Sequence, residues 1–300
     1  MKFKILVCDR IADEGIRLME EKGYEVTKAW NLPKTELPTI VGEYDALVVR
    51  SATKVDADLI AMAKKLKVIG RAGEGLDNID LEKASEMDIA VVNTPRVSAT
   101  SVAELTIAHL LALARGIVEG TLTLREGKWA KEELMGVEIN GKTLGIIGCG
   151  SIGKTVERLA LALGMKVLGV DMCVYDRFVP LDEMLHEADF ITIHVPLTPH
   201  TRHMLSTKEF NMMKNGVMLI DCSRGGVVDQ EALYQALVSG KVKAAALDVF
   251  EEEPPKNSKL LTLRNVYATP HIGAQTQEAQ LRASIQVAKK VIEALEQSAS

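Results

Sequence analysis

The sequence predicts an α/β protein with two doubly wound domains, each built on a parallel β-sheet. Short apolar runs alternate with helical patterns along nearly the whole chain, which is the rhythm of βαβ units. With 300 residues, 47% of them hydrophobic, the chain is long enough to bury two cores. We expect a flavodoxin-like domain over residues 1–95 and 276–300, and a Rossmann-type domain over residues 96–275.

The first domain begins with a strand-like run that leads into an amphipathic helix over residues 13–22. Residues 31–39 contain two prolines and are predicted to form a loop, and Thr94-Pro95 marks the end of the first βαβ unit. The predicted strands of this domain cover residues 4–8, 24–29, 44–50, 67–71 and 89–93.

The second domain is predicted to open with a buried helix over residues 102–114, with Ser101 and Glu104 as its capping box. This segment is too short to cross a bilayer. Residues 121–142 carry Trp129, and we expect an arm that packs on a second subunit; a plain surface connection is the alternative. The remaining predicted strands cover residues 144–147, 166–170, 190–195, 217–222, 244–249 and 266–268, and a last helix over residues 276–296 returns to the first domain.

Composition limits the class of partner. A net charge of −5 argues against a nucleic-acid or anionic-membrane surface as the main partner. The four cysteines are scattered, without CxxC spacing, so we expect reduced thiols, no metal site and a cytoplasmic protein. The N-terminus begins a strand and lacks the shape of a signal peptide.

The most informative motif is Gly148-x-Gly150-x-x-Gly153, which lies between a predicted strand and a predicted helix. Gly148 allows the tight turn, Gly150 lets the backbone approach a pyrophosphate, and Gly153 lets helix and strand pack closely. The pyrophosphate would then lie at the positive end of the helix. Asp171 follows the next strand, about 20 residues after the glycine motif, where a carboxylate accepts a hydrogen bond from a ribose hydroxyl. The residue after it, Met172, offers no cation for a 2′-phosphate. This arrangement predicts a dinucleotide site.

Three polar motifs follow strands of the second domain: Arg224, the acidic run 251–253, and His271. Ligands of parallel sheets bind beyond the carboxyl ends of strands, so these groups are expected to meet beside a nicotinamide. An arginine fork can hold a carboxylate, a histidine can take a hydroxyl proton, and a glutamate can orient that histidine. Each residue alone could instead be an ordinary loop ion pair, a solvated acidic turn or a satisfied loop histidine.

Together these motifs resemble the D-isomer-specific 2-hydroxyacid dehydrogenases, and most closely the branch that oxidises 3-phosphoglycerate. The resemblance runs from about residue 1 to residue 295. The segments that carry it are Arg50-Ser-Ala-Thr-Lys-Val55, Gly70-Arg-Ala-Gly-Glu-Gly-Leu-Asp-Asn78, Asn140-Gly-Lys-Thr-Leu-Gly145, the glycine motif, His194-Val-Pro-Leu-Thr198, Ser223-Arg-Gly-Gly226, Leu247-Asp-Val-Phe250, Glu253-Pro254 and Pro270-His-Ile-Gly-Ala274.

The resemblance implies NAD as cofactor and Arg224, Glu253 and His271 as the catalytic trio, since the family's glutamate directly precedes a proline. It also implies that the first domain binds substrate. The implied cofactor contacts are Gly148, Gly150, Ser151, Ile152, Gly153, Asp171, His194, Val195, Pro196, Cys222, Ser223, Asp248, Gly273 and Ala274. The expected substrate contacts are Arg50, Ser51, Arg71, Ala72, Gly73 and Gly75.

Arg50 and Arg71 both end predicted strands, and two arginine forks suit a phosphate dianion. The expected reaction is therefore NAD-dependent oxidation of 3-phospho-D-glycerate to 3-phosphohydroxypyruvate in serine biosynthesis, by a homodimer. A glyoxylate or hydroxypyruvate reductase on the same scaffold is the nearest alternative, and an NAD-sensing corepressor-like binding protein is an alternative from another class.

Glu74 departs from the family, which usually has a small or apolar residue there. The stretch after Asp171 is short for the family, and the end near Ser300 implies a form without the regulatory domain of longer members.

Overall fold

The computed structural model describes residues 2–171 and 179–298, which divide into two compact units. Unit 1 comprises Met1–Ser98 and Gln275–Ser300, and unit 2 comprises Ala99–Ala274. Residues 172–178, which include Met172 and Cys173 and form part of the short stretch after Asp171, lie outside the described residues.

Strands and helices alternate through both units. The strands are β1 (Lys4–Val7), β2 (Glu25–Lys28), β3 (Ala46–Val49), β4 (Val68–Arg71), β5 (Ala90–Asn93), β6 (Thr143–Ile147), β7 (Lys166–Val170), β8 (Phe190–Ile193), β9 (Val217–Asp221), β10 (Val242–Leu247) and β11 (Val266–Ala268). The α-helices are α1 (Asp13–Glu21), α2 (Leu37–Ile40), α3 (Ala57–Met62), α4 (Leu81–Glu86), α5 (Ala99–Arg115), α6 (Ile117–Arg125), α7 (Ser151–Ala162), α8 (Leu181–Glu187), α9 (Thr207–Met212), α10 (Gln230–Val238) and α11 (Gln277–Gln297).

Unit 1 is a parallel five-stranded sheet in the order β2-β1-β3-β4-β5, which is the flavodoxin-like order. Both faces are covered, as an all-parallel sheet requires. Helices α1 and α11 pack on one face around Ile16 and Val287, and α3 and α4 pack on the other around Ile60 and Ala84. The last helix therefore belongs to the core of unit 1, although it follows unit 2 in sequence.

Unit 2 is a parallel six-stranded sheet in the order β11-β10-β9-β8-β6-β7. The chain passes from β6 to β7 on one side and then places β8 on the other side of β6. The topological switch point therefore lies at the carboxyl end of β6, where the glycine motif begins. Helices α5 and α7 contribute Leu110 and Val156 to the core on one face, and α8, α9 and α10 cover the other.

Two details of the predicted elements are wrong. Residues 31–39 are not a plain loop, because a 3-10 helix, Lys34–Glu36, leads into α2. Pro38 is tolerated there, since the first turn of a helix needs no N–H donor from it. The capping box at Ser101 is also absent, because α5 already begins at Ala99 and Ser101 is buried inside its first turn.

Residues 121–142 contain the end of α6 and an irregular stretch with large exposed side chains. Trp129 is 81% exposed and Met135 is 84% exposed. No single helix in the described ranges is long and apolar enough to span a membrane; α5 and α6 pass that test only as a pair bent by 62°. Within that pair, α5 is a core helix of unit 2.

Gly15 provides a test of the packing of α1 on α11. A Cβ at this position would collide with the side chain and the backbone of Ser284. We expect Gly15→Ala to lower the free energy of unfolding by about 1–3 kcal/mol, because the helices must move apart. Gly120→Ala in α6 is the control: its Cβ would meet only a Leu134 methyl at 3.5 Å. The control should gain about 0.5–1 kcal/mol from helix propensity. Urea denaturation measures both, and an unchanged midpoint for Gly15→Ala would contradict the close contact.

Candidate active site

The glycine motif forms a turn whose geometry suits a pyrophosphate. Gly148 has φ +94°, a left-handed conformation that favours glycine. A Cβ at Gly153 would strike the carbonyl of Gly148, so glycine is required where α7 meets the turn. Gly150 instead faces open space, since a Cβ added there would have no described atom within 4 Å. The helix that follows begins at Ser151, and Ile152 and Gly153 complete its first turn, where backbone N–H groups lack partners within the helix. These residues fit the diphosphate of NAD.

Asp171 lies at the end of β7 and is tied to the same turn. Its Oδ2 accepts a hydrogen bond from the backbone N–H of Cys149 at 2.7 Å. The thiol of Cys149 is an ordinary, protonated one, because burial and the neighbouring Asp171 raise its pKa to about 11. The carboxylate thus fixes the glycine turn and remains at the edge where a ribose hydroxyl was predicted.

His194 follows β8, and its carbonyl oxygen lies 2.6 Å from the position that a Cβ of Gly148 would take. Its side-chain Nε2 is 3.0 Å from Thr192 Oγ1, while its Nδ1 is buried without a hydrogen-bond partner among the described residues. Burial lowers the pKa of His194 to about 3, so the ring is neutral at physiological pH. A neutral, enclosed ring is suited to packing rather than to proton transfer, and Val195 and Pro196 extend from it along the same edge.

The predicted catalytic pair is in direct contact. Nδ1 of His271 is 2.7 Å from Oε2 of Glu253, and both side chains remain partly exposed, at 41% and 38%. The other carboxylate oxygen of Glu253 accepts the backbone N–H of Phe250 at 3.2 Å. Burial raises the pKa of Glu253, but the bonds with His271 and Phe250 and the charge of Arg224 outweigh it, so the pKa lies below its usual value.

Arg224 lies close to this pair because two loops touch. A Cβ at Gly225 would collide with the carbonyl of Phe250, so only glycine lets the loop after β9 approach the loop after β10. Nη1 of Arg224 donates to the carbonyl of Ser223 at 2.8 Å, which orients the guanidinium. The trio thus forms one cluster at the carboxyl edge of unit 2.

Two of the three consecutive glutamates contact different histidines. Glu253 contacts His271, whereas Oε1 of Glu251 is 3.1 Å from Nε2 of His203. Sequence reasoning from spacing alone could not separate them, since all three follow the same strand. Contact with His271 distinguishes Glu253.

Several predicted cofactor residues have internal hydrogen bonds instead of free polar groups. The N–H and hydroxyl of Ser223 both donate to Asp221, at 2.9 and 2.6 Å. Asp221 is buried, and burial raises its pKa to about 6 despite these bonds. Cys222 is buried in the core beneath α5. Cys222 and Ser223 can therefore offer a dinucleotide backbone contacts but not free side-chain donors, and their contact with the cofactor stays a prediction.

Asp248 is also engaged within unit 2. It is only 1% exposed, and its carboxylate accepts bonds from the loop that contains His271, including the N–H of Gly273 at 2.8 Å. The predicted contact of Asp248 with cofactor therefore has to compete with these bonds. Gly273 is buried against Val102, and Ala274 is the last residue of unit 2.

In unit 1, the segment with Arg50 is held by a buried carboxylate that the sequence analysis did not single out. Asp9 accepts the N–H groups of Arg50 and Thr53 at 2.7 and 3.0 Å, and also the ammonium of Lys34 at 2.8 Å. Asn78 braces the segment by donating to the carbonyls of Arg50 and Thr53. The sequence did contain a signal for this residue, because Asp9 directly follows the first predicted strand.

The Arg50 guanidinium is half-buried and donates from Nη2 to Oε1 of Gln275 at 2.7 Å. Burial lowers its pKa, with the Asp9 charge acting in the opposite direction. Ser51, next to it, is exposed. Both residues lie beyond the carboxyl end of β3, as predicted from the sequence.

Arg71 ends β4, and its guanidinium lies directly over Gly73, where a Cβ would overlap it. Gly73 has φ +155°. The N–H of Ala72 donates to Val49 at 2.8 Å, and that of Gly73 donates to Arg71 at 2.9 Å. β3 and the turn itself therefore already use these two N–H groups, and the expected substrate contacts at Ala72 and Gly73 stay predictions.

The neighbouring Glu74 is exposed, and its Oε2 is 3.4 Å from the N–H of Arg96. Its own carbonyl accepts from Asn93 Nδ2 at 2.6 Å. Gly75 follows it in the same turn. In the described ranges, no cluster of three or more histidine, cysteine, aspartate or glutamate side chains could hold a metal ion.

Comparison with known proteins identifies the family. The model of the D-isomer specific 2-hydroxyacid dehydrogenase NAD-binding domain matches residues 107–273. A D-3-phosphoglycerate dehydrogenase of Methanocaldococcus jannaschii is 49% identical over 96% of this chain, which spans 56% of that relative's length. A hydroxypyruvate reductase of Thermotoga maritima is 50% identical over 98% of this chain and 99% of its own length.

Solved structures agree with this assignment. The TT0316 protein from Thermus thermophilus has a TM-score of 0.90 and 37% identity, covering 98% of this chain and 97% of that one. An NAD-bound 3-phosphoglycerate dehydrogenase from Entamoeba histolytica has a TM-score of 0.83 and 28% identity, covering 98% and 95%. From the glycine turn, the cluster at the carboxyl edge of unit 2 and these matches, the chain belongs to the D-isomer specific 2-hydroxyacid dehydrogenase family, and it contains that family's NAD-binding domain.

Proposed function

We propose that this protein oxidises 3-phospho-D-glycerate to 3-phosphohydroxypyruvate with NAD, as a step of serine biosynthesis. The observation that carries the dehydrogenase chemistry is the 2.7 Å contact between His271 and an ionised Glu253, with Arg224 beside it. Relatives with the phosphoglycerate dehydrogenase name support the specific substrate.

The contact defines which nitrogen of His271 can act as a base. An ionised carboxylate only accepts hydrogen bonds, so Nδ1 of His271 must carry the proton that Glu253 receives. Nε2 then has a free lone pair and can take the hydroxyl proton of the substrate. Glu253 stabilises the imidazolium that forms, and Arg224 holds the substrate carboxylate through its planar fork. NAD, when bound at the glycine turn, supplies the hydride acceptor.

Arg50 and Arg71 are proposed to bind the substrate phosphate, together with Ser51 and the turn at Gly75. Arg71 ends β4 and Arg50 directly follows β3, at the edge where parallel sheets bind ligands. Neither guanidinium extends freely into solvent, since Arg50 bonds Gln275 and Arg71 covers Gly73. Substrate binding must therefore compete with these contacts.

Hydroxypyruvate reduction is the second candidate, because the Thermotoga maritima relative is as similar as the phosphoglycerate dehydrogenase and matches over its full length. The carboxylate of Glu74 in the turn also repels a substrate that carries a phosphate dianion more strongly than it repels the monoanion hydroxypyruvate. Initial rates for 3-phosphoglycerate with NAD, and for hydroxypyruvate and glyoxylate with NADH, distinguish the two. A kcat/KM for 3-phosphoglycerate far below that for hydroxypyruvate would reject the proposed substrate.

A cytoplasmic location is part of the proposal. Cys8, Cys149 and Cys222 are free thiols, and unpaired cysteines are typical of reducing compartments. Fractionation of the source cells is the direct measurement.

We also propose a homodimer formed through α6 and the stretch after it. This surface exposes several large apolar side chains, and large exposed apolar patches mark protein contacts. Its exposed members are Ile117, Val118, Leu122, Leu124, Trp129 and Met135. An isologous contact of this surface with a second copy would cover them.

Replacing the catalytic pair should separate their roles. His271→Asn is expected to lower kcat by about 10²–10⁴, the usual contribution of a positioned acid or base. Glu253→Gln should be milder, because an amide oxygen can still accept from Nδ1. Glu253→Gln removes the negative charge, however, so the imidazolium of His271 is less stable. The acidic limb of the pH profile of kcat/KM for oxidation should therefore move to lower pH. The measurement is kcat/KM against pH. Near-normal turnover of His271→Asn would show that the histidine is structural.

Arg71→Ala should raise KM for 3-phosphoglycerate by an amount equivalent to about 1.5–3 kcal/mol, the value of a hydrogen bond to a charged group. Activity on an unphosphorylated 2-hydroxy acid should change little. Arg17→Ala on the exposed face of α1 is the matched control in the same unit. An equal loss on both substrates, with a lower melting temperature, would instead indicate that Arg71 only braces the turn over Gly73.

Light scattering should give twice the 32.7 kDa of one chain at micromolar concentration. Trp129→Glu should shift the equilibrium to monomer, because a charge would be buried in the contact. Val238→Glu, at a side chain 59% exposed on α10, is the control and should leave the mass unchanged. A monomer for the unaltered protein would contradict the proposal.

A further inference from the structure

The loop that contains His271 is held by one buried carboxylate. Oδ1 of Asp248 accepts the hydroxyl of Thr269 at 2.6 Å and the N–H of Ile272 at 2.8 Å, and Oδ2 accepts the N–H of Gly273 at 2.8 Å. All three donors come from the five residues 269–273, with His271 between them. Asp248 therefore fixes the loop by hydrogen bonds on both sides of His271.

The backbone of His271 needs such support. Its φ is +52°, in the left-handed region that residues with a Cβ adopt at a cost. Its N–H donates to the carbonyl of Thr269 at 3.0 Å, a bond within the same short loop. A strained residue persists where its surroundings over-determine it, and here the bonds to Asp248 do so.

The hydrogen bonds around Asp248 extend to α5, as the number of available donor protons shows. Thr269 has a single hydroxyl proton, and a carboxylate cannot donate one, so that proton goes to Asp248. His109 Nε2 lies 3.2 Å from the same hydroxyl oxygen. Since that oxygen has already used its proton, Nε2 of His109 must be the donor.

The surroundings of His109 agree with this tautomer. The residue is 7% exposed on a core helix of unit 2. Burial lowers the pKa of His109, although the nearby Asp248 acts in the opposite direction. A neutral ring carries one N–H, and the contact assigns it to Nε2. His109 thus contributes a directed hydrogen bond, not a charge.

We propose that His109 and Thr269 are positioning residues for the reaction, which act through Asp248 to hold His271 in its left-handed conformation. The inference rests on the proposed role of His271 as the base. The chain runs from Nε2–H of His109 to the hydroxyl of Thr269 and on to the carboxylate of Asp248. Without it, the loop relaxes and Nε2 of His271 spends less time at the substrate hydroxyl.

Four variants of the full-length protein test the network. Thr269→Val removes the hydroxyl at nearly constant shape, and Thr269→Ser restores it. His109→Leu removes the ring donor, and His109→Gln supplies an amide N–H in its place. Thr123→Val is the matched control, since Thr123 is a buried threonine of unit 2 whose hydroxyl bonds its own helix at Gly120.

Thr269→Val is expected to lower kcat by about 10–100-fold, and His109→Leu by about 3–10-fold, as misplacement of a catalytic group by a fraction of an ångström does. KM for the hydroxy acid should change less than kcat. The deuterium isotope effect on kcat, measured with substrate deuterated at the oxidised carbon, should rise because proton and hydride transfer become rate-limiting. The serine and glutamine variants should recover most of the activity, and Thr123→Val should retain all of it.

Two outcomes would overturn the inference: unchanged kcat for Thr269→Val, or a loss with an unchanged isotope effect and no recovery in Thr269→Ser. The second would mean that the hydroxyl only keeps the protein folded. If Thr269→Val cannot be purified, His109→Leu and His109→Gln decide by the same criteria. His271→Asn, measured in parallel, separates failure of this inference from failure of the proposed function. Full activity of His271→Asn would reject His271 as the base. An inactive His271→Asn together with a fully active Thr269→Val would reject only the positioning role of Thr269 and His109.

Discussion

Parallel strand pairing is the constraint on which the rest of this structure depends. In a parallel sheet every strand ends at the same edge, so the loops that follow neighbouring strands leave the sheet side by side. In unit 2, Leu247 pairs with Asp221 on one side and with Ala268 on the other. The loops with Arg224, Glu253 and His271 therefore start at one level, although these residues are far apart in sequence.

At the carboxyl edges of the two sheets, aspartates placed at or just after strand ends bind the backbone of nearby loops. Burial makes such carboxylates costly unless they are fully hydrogen-bonded, and loop N–H groups provide the donors. Each of these carboxylates accepts at least one backbone N–H: Asp9 from Arg50 and Thr53, Asp171 from Cys149, Asp221 from Ser223, and Asp248 from Ile272 and Gly273. The same device thus orders the segment with Arg50, the dinucleotide turn and the loop with His271.

The chemistry divides accordingly between rigid and adjustable parts. His271 and Glu253 are in direct contact, so the protein itself orients the proposed base, which reduces reorganisation during the proposed reaction. The arginines of unit 1 are different, because Arg50 and Arg71 have intramolecular contacts that the proposed substrate phosphate would have to displace. On the proposed function, discrimination between phosphorylated and smaller hydroxy acids would depend on the free-energy cost of releasing these two side chains.

The sequence by itself determined the fold class, the dinucleotide motif and the strands, with ends mostly within two residues of those observed, because hydrophobic periodicity and glycine spacing are local signals. It also placed Arg224, Glu253 and His271 after strands, but only through the family resemblance did it select one glutamate of three. Only the tertiary structure decided which groups are already hydrogen-bonded. The N–H groups of Ala72 and Gly73 bond β3 and the turn, and the carboxylate of Asp248 bonds the loop at residues 269–273. It also brought His109 of α5 to Thr269, 160 residues later. Such pairings depend on which side chains face each other across the packed sheet and helices, and no spacing along the chain encodes that.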